Sequence, residues 1–264
     1  MFGARRSGRS HRPFFLLALA LAWLMSTGTV PSAWQAAVRA DAVDYSPAER
    51  GWNGLSTLQE IATEAGIELL VPNQLQLDEL TASDGILIVH PTQPLPRSAL
   101  SAFMRDGARV ALADDFGSGD TLLNAFRIAR RVPVEIPRER LLRGNRALMI
   151  ATPEGNHPLA ADVRALVANH PTSVFHDGLD PVFALDEGRH ALVLSGAVGA
   201  GRLVTIGDAS VFINNMLEFR GNRVFARNLL RYLARGSGGR VVLLAGATPI
   251  VTAATPGALT TLRN

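Results

Sequence analysis

Aspartate, asparagine and serine gather late in the chain. Gly207-Asp208-Ala209-Ser210 leads into Val211-Phe212-Ile213-Asn214-Asn215, and Gly221-Asn222 follows. Carboxylates accept hydrogen bonds or a proton, and primary amides both donate and accept. Asp208, Ser210, Asn214, Asn215 and Asn222 therefore have the chemistry to line a polar ligand site. The same residue types cap helices and close turns, so both readings stay open at this point. A second group, Asp114-Asp115-Phe116-Gly117-Ser118-Gly119, offers carboxylates and small residues suited to a cation, sugar hydroxyls or an amine. Its alternative is a cap, with Asp115 or Ser118 starting the next helix. A third group, Tyr45-Ser46-Pro47 with Asn53-Gly54, lies where a helix begins. Helix N-termini attract anions, so Ser46 and Asn53 are candidates to face the other two groups, with simple capping as the alternative.

Other chemistries find little support. His90 precedes a proline at a strand end, and His157, His170 and His176 fall in loops; none forms a ligand pair at helical spacing. They read as surface histidines, and no metal ligand set is expected. Ser118 and Ser195 lack the Gly-x-Ser-x-Gly flanks of a nucleophile elbow. Gly196, Gly199 and Gly201 reverse the dinucleotide spacing, and no helix follows them. There is no Cys, which excludes disulfides, thiol catalysis and Cys-ligated zinc. No catalytic residue and no cofactor is assigned.

The elements that must position these groups alternate. Leu55, Leu58, Ile61, Ala62 and Ala65 recur at helical spacing after Asn53 or Ser56, and Gly66 stops that helix. Ile67–Val71 and the unbroken apolar run Gly85–Val89 read as strands, the second as a buried parallel one. Ser98–Arg105 follows as a helix, Arg109–Ala113 as a strand and Thr121–Phe126 as a short helix. Residues 127–146, rich in Arg and Pro, look like an excursion at the sheet edge. Ala147–Ala151 resumes strand character, and Leu159–Ala168 has a weak helical pattern. Val182–Leu185, His190–Ser195 and Arg202–Ile206 are strands close together, the last two joined by a glycine-rich hairpin. Val224–Leu233 is the closing helix, and Val241–Leu244 a last strand beyond a Gly/Ser linker. Helix–strand alternation predicts an α/β fold, a three-layer flavodoxin-like sandwich whose mostly parallel sheet gains an antiparallel hairpin near its C-terminal part.

Charge is concentrated at the start. Residues 1–40 hold five Arg and no acid, more than the whole net charge of +3, so the remainder carries −2. A nucleic-acid partner is not expected. Basic residues 1–12, the apolar run Pro13–Met25 and small residues near Ala33 or Ala40 have the form of a secretory signal. The alternative is an uncleaved anchor over Pro13–Val30 that ties the protein to the membrane with its N-terminus inside. Both place the domain outside the cytoplasm, periplasmic or anchored to the inner membrane. The organisation expected is 1–40 signal or anchor, 41–246 α/β domain and 247–264 mobile tail.

Taken in order, these stretches resemble the domain of unknown function 4350 family. The resemblance runs through Tyr45-Ser46-Pro47, Gly54-Leu55, Ala65-Gly66-Ile67, Ile86-Leu87-Ile88-Val89, Phe103–Val110, Gly207–Asn215 and Asn222 with Asn228-Leu229-Leu230. It implies the class I glutamine-amidotransferase-like fold, without that chemistry, because its nucleophile is a Cys. It also implies membrane anchoring and a cell-envelope protein complex as partner, with a MoxR-type ATPase as gene neighbour. The reading is an exported, non-catalytic binding or scaffold domain whose crevice holds Asp114, Asp208, Ser210, Asn214, Asn215 and Asn222, with Ser46 and Asn53. The alternative is a cell-envelope hydrolase using Asp114 or Asp208 as general base.

Overall fold

The computed structural model describes residues 44–252. The expected signal or anchor over 1–40 and residues 253–264 of the tail lie outside the described residues. Within them, no helix is long and apolar enough to cross a membrane.

In chain order the strands are β1 (Glu68–Leu70), β2 (Leu75–Gln76), β3 (Gly85–Val89), β4 (Arg109–Ala113), β5 (Ala129–Arg131), β6 (Leu148–Pro153) and β7 (Leu166–Asn169). They continue as β8 (Ser173–Phe175), β9 (Pro181–Ala184), β10 (Ala191–Val198), β11 (Gly201–Ile206), β12 (Arg240–Ala245) and β13 (Ile250–Val251). Helices α1 (Ser56–Glu64), α2 (Arg97–Arg105), α3 (Asp120–Leu123) and α4 (Arg220–Leu233) accompany them. Eleven strands form one sheet in the order β1-β12-β3-β4-β11-β10-β9-β6-β7, with β8 against β10 and β5 against β8. In the former tail, β13 pairs with β2.

The sheet has two halves. β1, β12, β3, β4 and β11 run parallel. From β10 outward every pairing is antiparallel. That makes six antiparallel pairings against four parallel ones. This corrects the expected flavodoxin-like, mostly parallel sandwich: the sheet is mixed, and few helices cover it. The reason lies between β4 and β11. A parallel neighbour needs a long crossover, usually a helix, whereas short connections return the chain antiparallel. Strands β5 to β10 are joined by turns and 3₁₀ segments only.

The helix expected over Leu159–Ala168 is absent for a local reason. Pro158–Ala160 makes one 3₁₀ turn, Asp162 takes the left-handed conformation (φ 60°), and Leu166–Asn169 goes into β7. One left-handed residue ends a right-handed helix.

Two cores lie on the two faces of the parallel half, as strand alternation requires. Leu87, Val89, Ala111, Ala113, Val204 and Ile206 point toward α1 and α4, whose Leu58, Ile61, Phe225 and Leu229 are fully buried there. Ile86, Ile88, Val110, Leu112 and Leu203 point toward α2, with Leu100 and Met104. Burying each such large side chain contributes about 1.5–3 kcal/mol. Phe225 adds an edge contact to Phe183 at 5.5 Å and a stack on Phe212 at 6.1 Å.

Candidate functional site at the carboxyl edge of the parallel strands

Three neighbouring parallel strands end side by side, and each hands over to a polar residue. β3 is followed by His90, whose N–H bonds Ala113 O; β4 by Asp114, whose N–H bonds Ile206 O; β11 by Gly207 and Asp208. Gly207 is needed for close approach, because a Cβ there would lie 2.1 Å from Thr172 O. The loop over residues 44–54 then lays Tyr45 on the His90 ring, with centroids 4.8 Å apart and planes at 24°. Both stacked residues hold left-handed backbone, Tyr45 at φ 63° and His90 at φ 46°. That conformation costs a non-glycine residue about 1–2 kcal/mol, so the surrounding structure must enforce it.

The His90 ring faces carboxylates. Nδ1 lies 3.5 Å from Asp115 Oδ1 and 3.9 Å from Asp114 Oδ1, too far for a well-formed hydrogen bond, and this buried nitrogen has no closer partner. One ligand atom from each of His90, Asp114 and Asp115 falls within 4.8 Å of the others, a grouping able to hold a metal ion. The Asp115 carboxylate holds the His90 pKa above its ordinary value against the opposing effect of burial, and Asp114 and Asp44 add to the rise. Burial raises Asp114, while Arg130 and the amides of Gly119 and Gly117 oppose it. Burial also raises Tyr45, helped by Asp115, Asp208, Asp44 and Asp114. The edge is a focus of negative potential.

Asp114 is tightly held. Oδ1 accepts from Gly117 N (2.7 Å), and Oδ2 from Gly119 N (2.8 Å) and Arg130 Nη1 (2.8 Å). Arg130, on β5, also donates to Asp115 O and Gly117 O and pairs with Asp120. Neither Asp115 nor Ser118 caps α3 through its side chain. Instead Asp114 staples the loop, and Arg130 ties the antiparallel half to it.

The other candidates fall into separate places. Asp208 is fully buried; Oδ1 accepts from Ser210 N (2.8 Å), capping the 209–212 turn, and Oδ2 from Asn169 N (2.6 Å). Burial pushes its pKa up to about 7, opposed by Ser210 and the Asn169 amide. Both carboxylates thus serve as buried acceptors, Asp208 for backbone amides and Asp114 for amides and Arg130. Ser210 is buried beside Asp208, and its hydroxyl has no hydrogen-bond partner. Asn214 Oδ1 accepts from Thr57 N (2.9 Å) in the first turn of α1, and Nδ2 donates to Gly51 O (2.6 Å) and Glu49 O (3.1 Å). It therefore caps a helix distant in sequence and clips down the loop that carries Tyr45. Asn215 is exposed, and its backbone N–H bonds Trp52 O. Ser46 closes the same loop through its carbonyl, which accepts from Glu49 N and Leu55 N. Asn53 donates to the Asp44 carboxylate. Asn222 stands apart, with its amide on both Val167 N (2.9 Å) and Val167 O (2.8 Å), pinning β7.

Sequence reasoning set His90 aside as a surface histidine, named Tyr45 only as part of the third group without a role in the crevice, and did not single out Arg130. The available signal was positional: adjacent parallel strands ending Val-His-Pro, Ala-Asp-Asp and Ile-Gly-Asp bring those ends together.

Apart from Asp44 and Tyr45, this arrangement sits inside a stretch, residues 47–230, that matches a family described as Domain of unknown function (DUF4350). The chain belongs to that family. No curated protein matches this DUF4350 member. Similar solved structures include a cytoplasmic protein from Salmonella typhimurium LT2, at 11% identity and TM-score 0.48 over 68% of this chain and 87% of that one. The mmIFT52 N-terminal domain shares 11% identity at TM-score 0.45, over 64% of this chain and 98% of its own. The exo-beta-1,4-mannosidase Op5Man5 from Opitutaceae bacterium strain TAV5 shares 13% identity at TM-score 0.38, over 60% of this chain and 26% of the enzyme. Likenesses this distant assign no function to DUF4350.

Proposed function

We propose that this DUF4350 domain is an exported or membrane-anchored, non-catalytic component of a cell-envelope system that binds a cationic ligand at the carboxyl edge of its parallel strands. The observation that carries the reading is the unpartnered Nδ1 of His90 facing the carboxylates of Asp115 and Asp114. Asp114 already has Arg130, whereas Asp115 has an ion-pair partner only when His90 is protonated. A bound cation takes the place of that proton and neutralises both acids at once. One imidazole nitrogen with carboxylate oxygens is a borderline donor set, suited to zinc or manganese more than to magnesium. A scaffold role fits the same geometry, since the cation would lock the Tyr45 loop against the strand ends.

The test is isothermal titration with zinc, manganese and magnesium chlorides and with methylammonium. Binding of one equivalent of zinc or manganese is expected, weakened at least tenfold in Asp115→Asn. Because His90 must lose its proton, affinity should fall as pH drops through its raised pKa. Equal affinity of wild type and Asp115→Asn would remove the site.

A further inference from the structure

The stretch from β5 into β6 carries a groove of about 230 Å³ that shares no residue with the carboxyl-edge site. Pro133, Ile136, Leu141 and Met149 form its apolar lining, and Glu135, Arg138 and Arg146 its polar part. Two backbone features build it. Glu135 holds left-handed backbone (φ 55°), which turns the chain between Pro133 and Ile136, and an antiparallel bridge joins Leu141 to Met149. Pro133 is buried, but Ile136, Leu141 and Met149 are only half-buried, so the groove keeps hydrocarbon surface within reach of solvent.

Charge decides what the groove accepts. Residues 127–146 hold seven Arg and two Glu, a local charge of +5 in a remainder that carries −2. Arginine ion pairs among the described residues engage Arg130, Arg189, Arg223 and Arg240. Arg138 and Arg146 are exposed and take part in none of them, and Glu135 pairs with neither. Other arginines of the stretch are already engaged: Arg131 stacks on Phe175 at 4.0 Å, and Arg140 donates to the Thr152 hydroxyl (2.6 Å). Two guanidiniums on one small lining repel each other. An anion between them removes that repulsion, and the planar fork of Arg holds a carboxylate through two parallel N–H donors.

We infer that this groove is a binding site for a small amphipathic carboxylate, an apolar body of one ring or a short hydrocarbon chain with its anionic end on Arg138 and Arg146. Volume supports the apolar body. A cavity of about 150 Å³ accepts benzene, and about 230 Å³ leaves room for a ring with a short side chain. Met149 makes an adaptable wall, because its unbranched thioether repacks around differing shapes. Both guanidiniums are exposed, so the ligand reaches them without any rearrangement of the chain.

Phenylacetate, phenylacetamide and acetate are the probes. The amide keeps the shape and loses the charge, whereas acetate keeps the charge and loses the ring. Binding to the full chain is followed by carbon-13 NMR of the Met149 methyl, assigned with Met149→Leu. Phenylacetate is expected to shift that methyl at millimolar concentration, with an affinity about tenfold above those of phenylacetamide and acetate. Arg138→Gln combined with Arg146→Gln should abolish the preference for phenylacetate over its amide and leave amide binding as it was. Both positions are exposed, so the double variant should unfold at the same urea concentration as wild type. Added salt should reduce the preference in wild type by screening the arginines. A Met149 methyl that phenylacetate leaves unmoved overturns the site. Equal affinity for acetate overturns the apolar body, and an unchanged preference in the double variant overturns the role of the two arginines.

Discussion

Asp208 ends β11 without any exposed surface, and both its oxygens serve backbone amides. Its pKa of about 7 lies above the value near 4 of an unfolded aspartate. A group raised in this way contributes stability that is fully present below about pH 4 and is lost as pH rises toward 7. Unfolding by urea at pH 5, 6, 7 and 8 should therefore show wild-type stability falling across that range. The Asp208→Asn variant should lose that fall, although one amide loses its acceptor and the variant is less stable at pH 5. A wild-type curve parallel to the variant's would contradict the assignment. At this scale the residue types were legible in the sequence, and so was their position after strands. Their roles were not, because one aspartate accepts a turn amide or a ligand equally well. Only the Asn169 and Ser210 amides decide for the turn. His90 read as a surface histidine for the complementary reason: a single histidine before a proline carries no spacing, and its carboxylates arrive from the next strand.

Between elements the decisive contacts join parts far apart in the chain. Asn214 ties the 49–51 carbonyls to the first turn of α1, and α1 has no side-chain cap of its own. Asn214→Ala leaves the Thr57 N–H and the Glu49 carbonyl without partners, while Gly51 O keeps the Gly54 N–H. It should cost about 2–3 kcal/mol in urea unfolding and speed hydrogen exchange at Thr57. A cost below about 0.5 kcal/mol would mean that the loop is held by other contacts. Strands β3, β4, β11 and β12 and helices α1, α2 and α4 were readable from apolar period. Between β4 and β10, α3, β6 and β9 were readable too, but β5, β7 and β8 were not. Those strands are three or four residues long, and Leu159–Ala168 mimics a helix until Asp162 turns left-handed.

Across the whole molecule, the chain's late return shapes the sheet. β12 follows the matched family region, yet it lies between β1 and β3 and pairs with both. Val241, Val242, Leu243 and Leu244 are almost fully buried and feed both cores. A chain ending at residue 238 should show no cooperative urea transition by near-ultraviolet circular dichroism; a sharp transition would make β12 dispensable. Sheet direction was the least legible property of the sequence, since parallel and antiparallel strands carry similar apolar runs when both faces are covered. What the parallel half provides is a set of aligned strand ends, and the negative potential gathered there gives the cation-binding proposal its physical basis. The most direct test is nitrogen-15 NMR of the His90 imidazole during zinc titration near pH 7. The expected result is a saturable shift of Nδ1 at one equivalent, with proton release, that disappears in Asp115→Asn. Zinc binding that leaves the His90 ring unperturbed, or no binding at millimolar zinc, would contradict it.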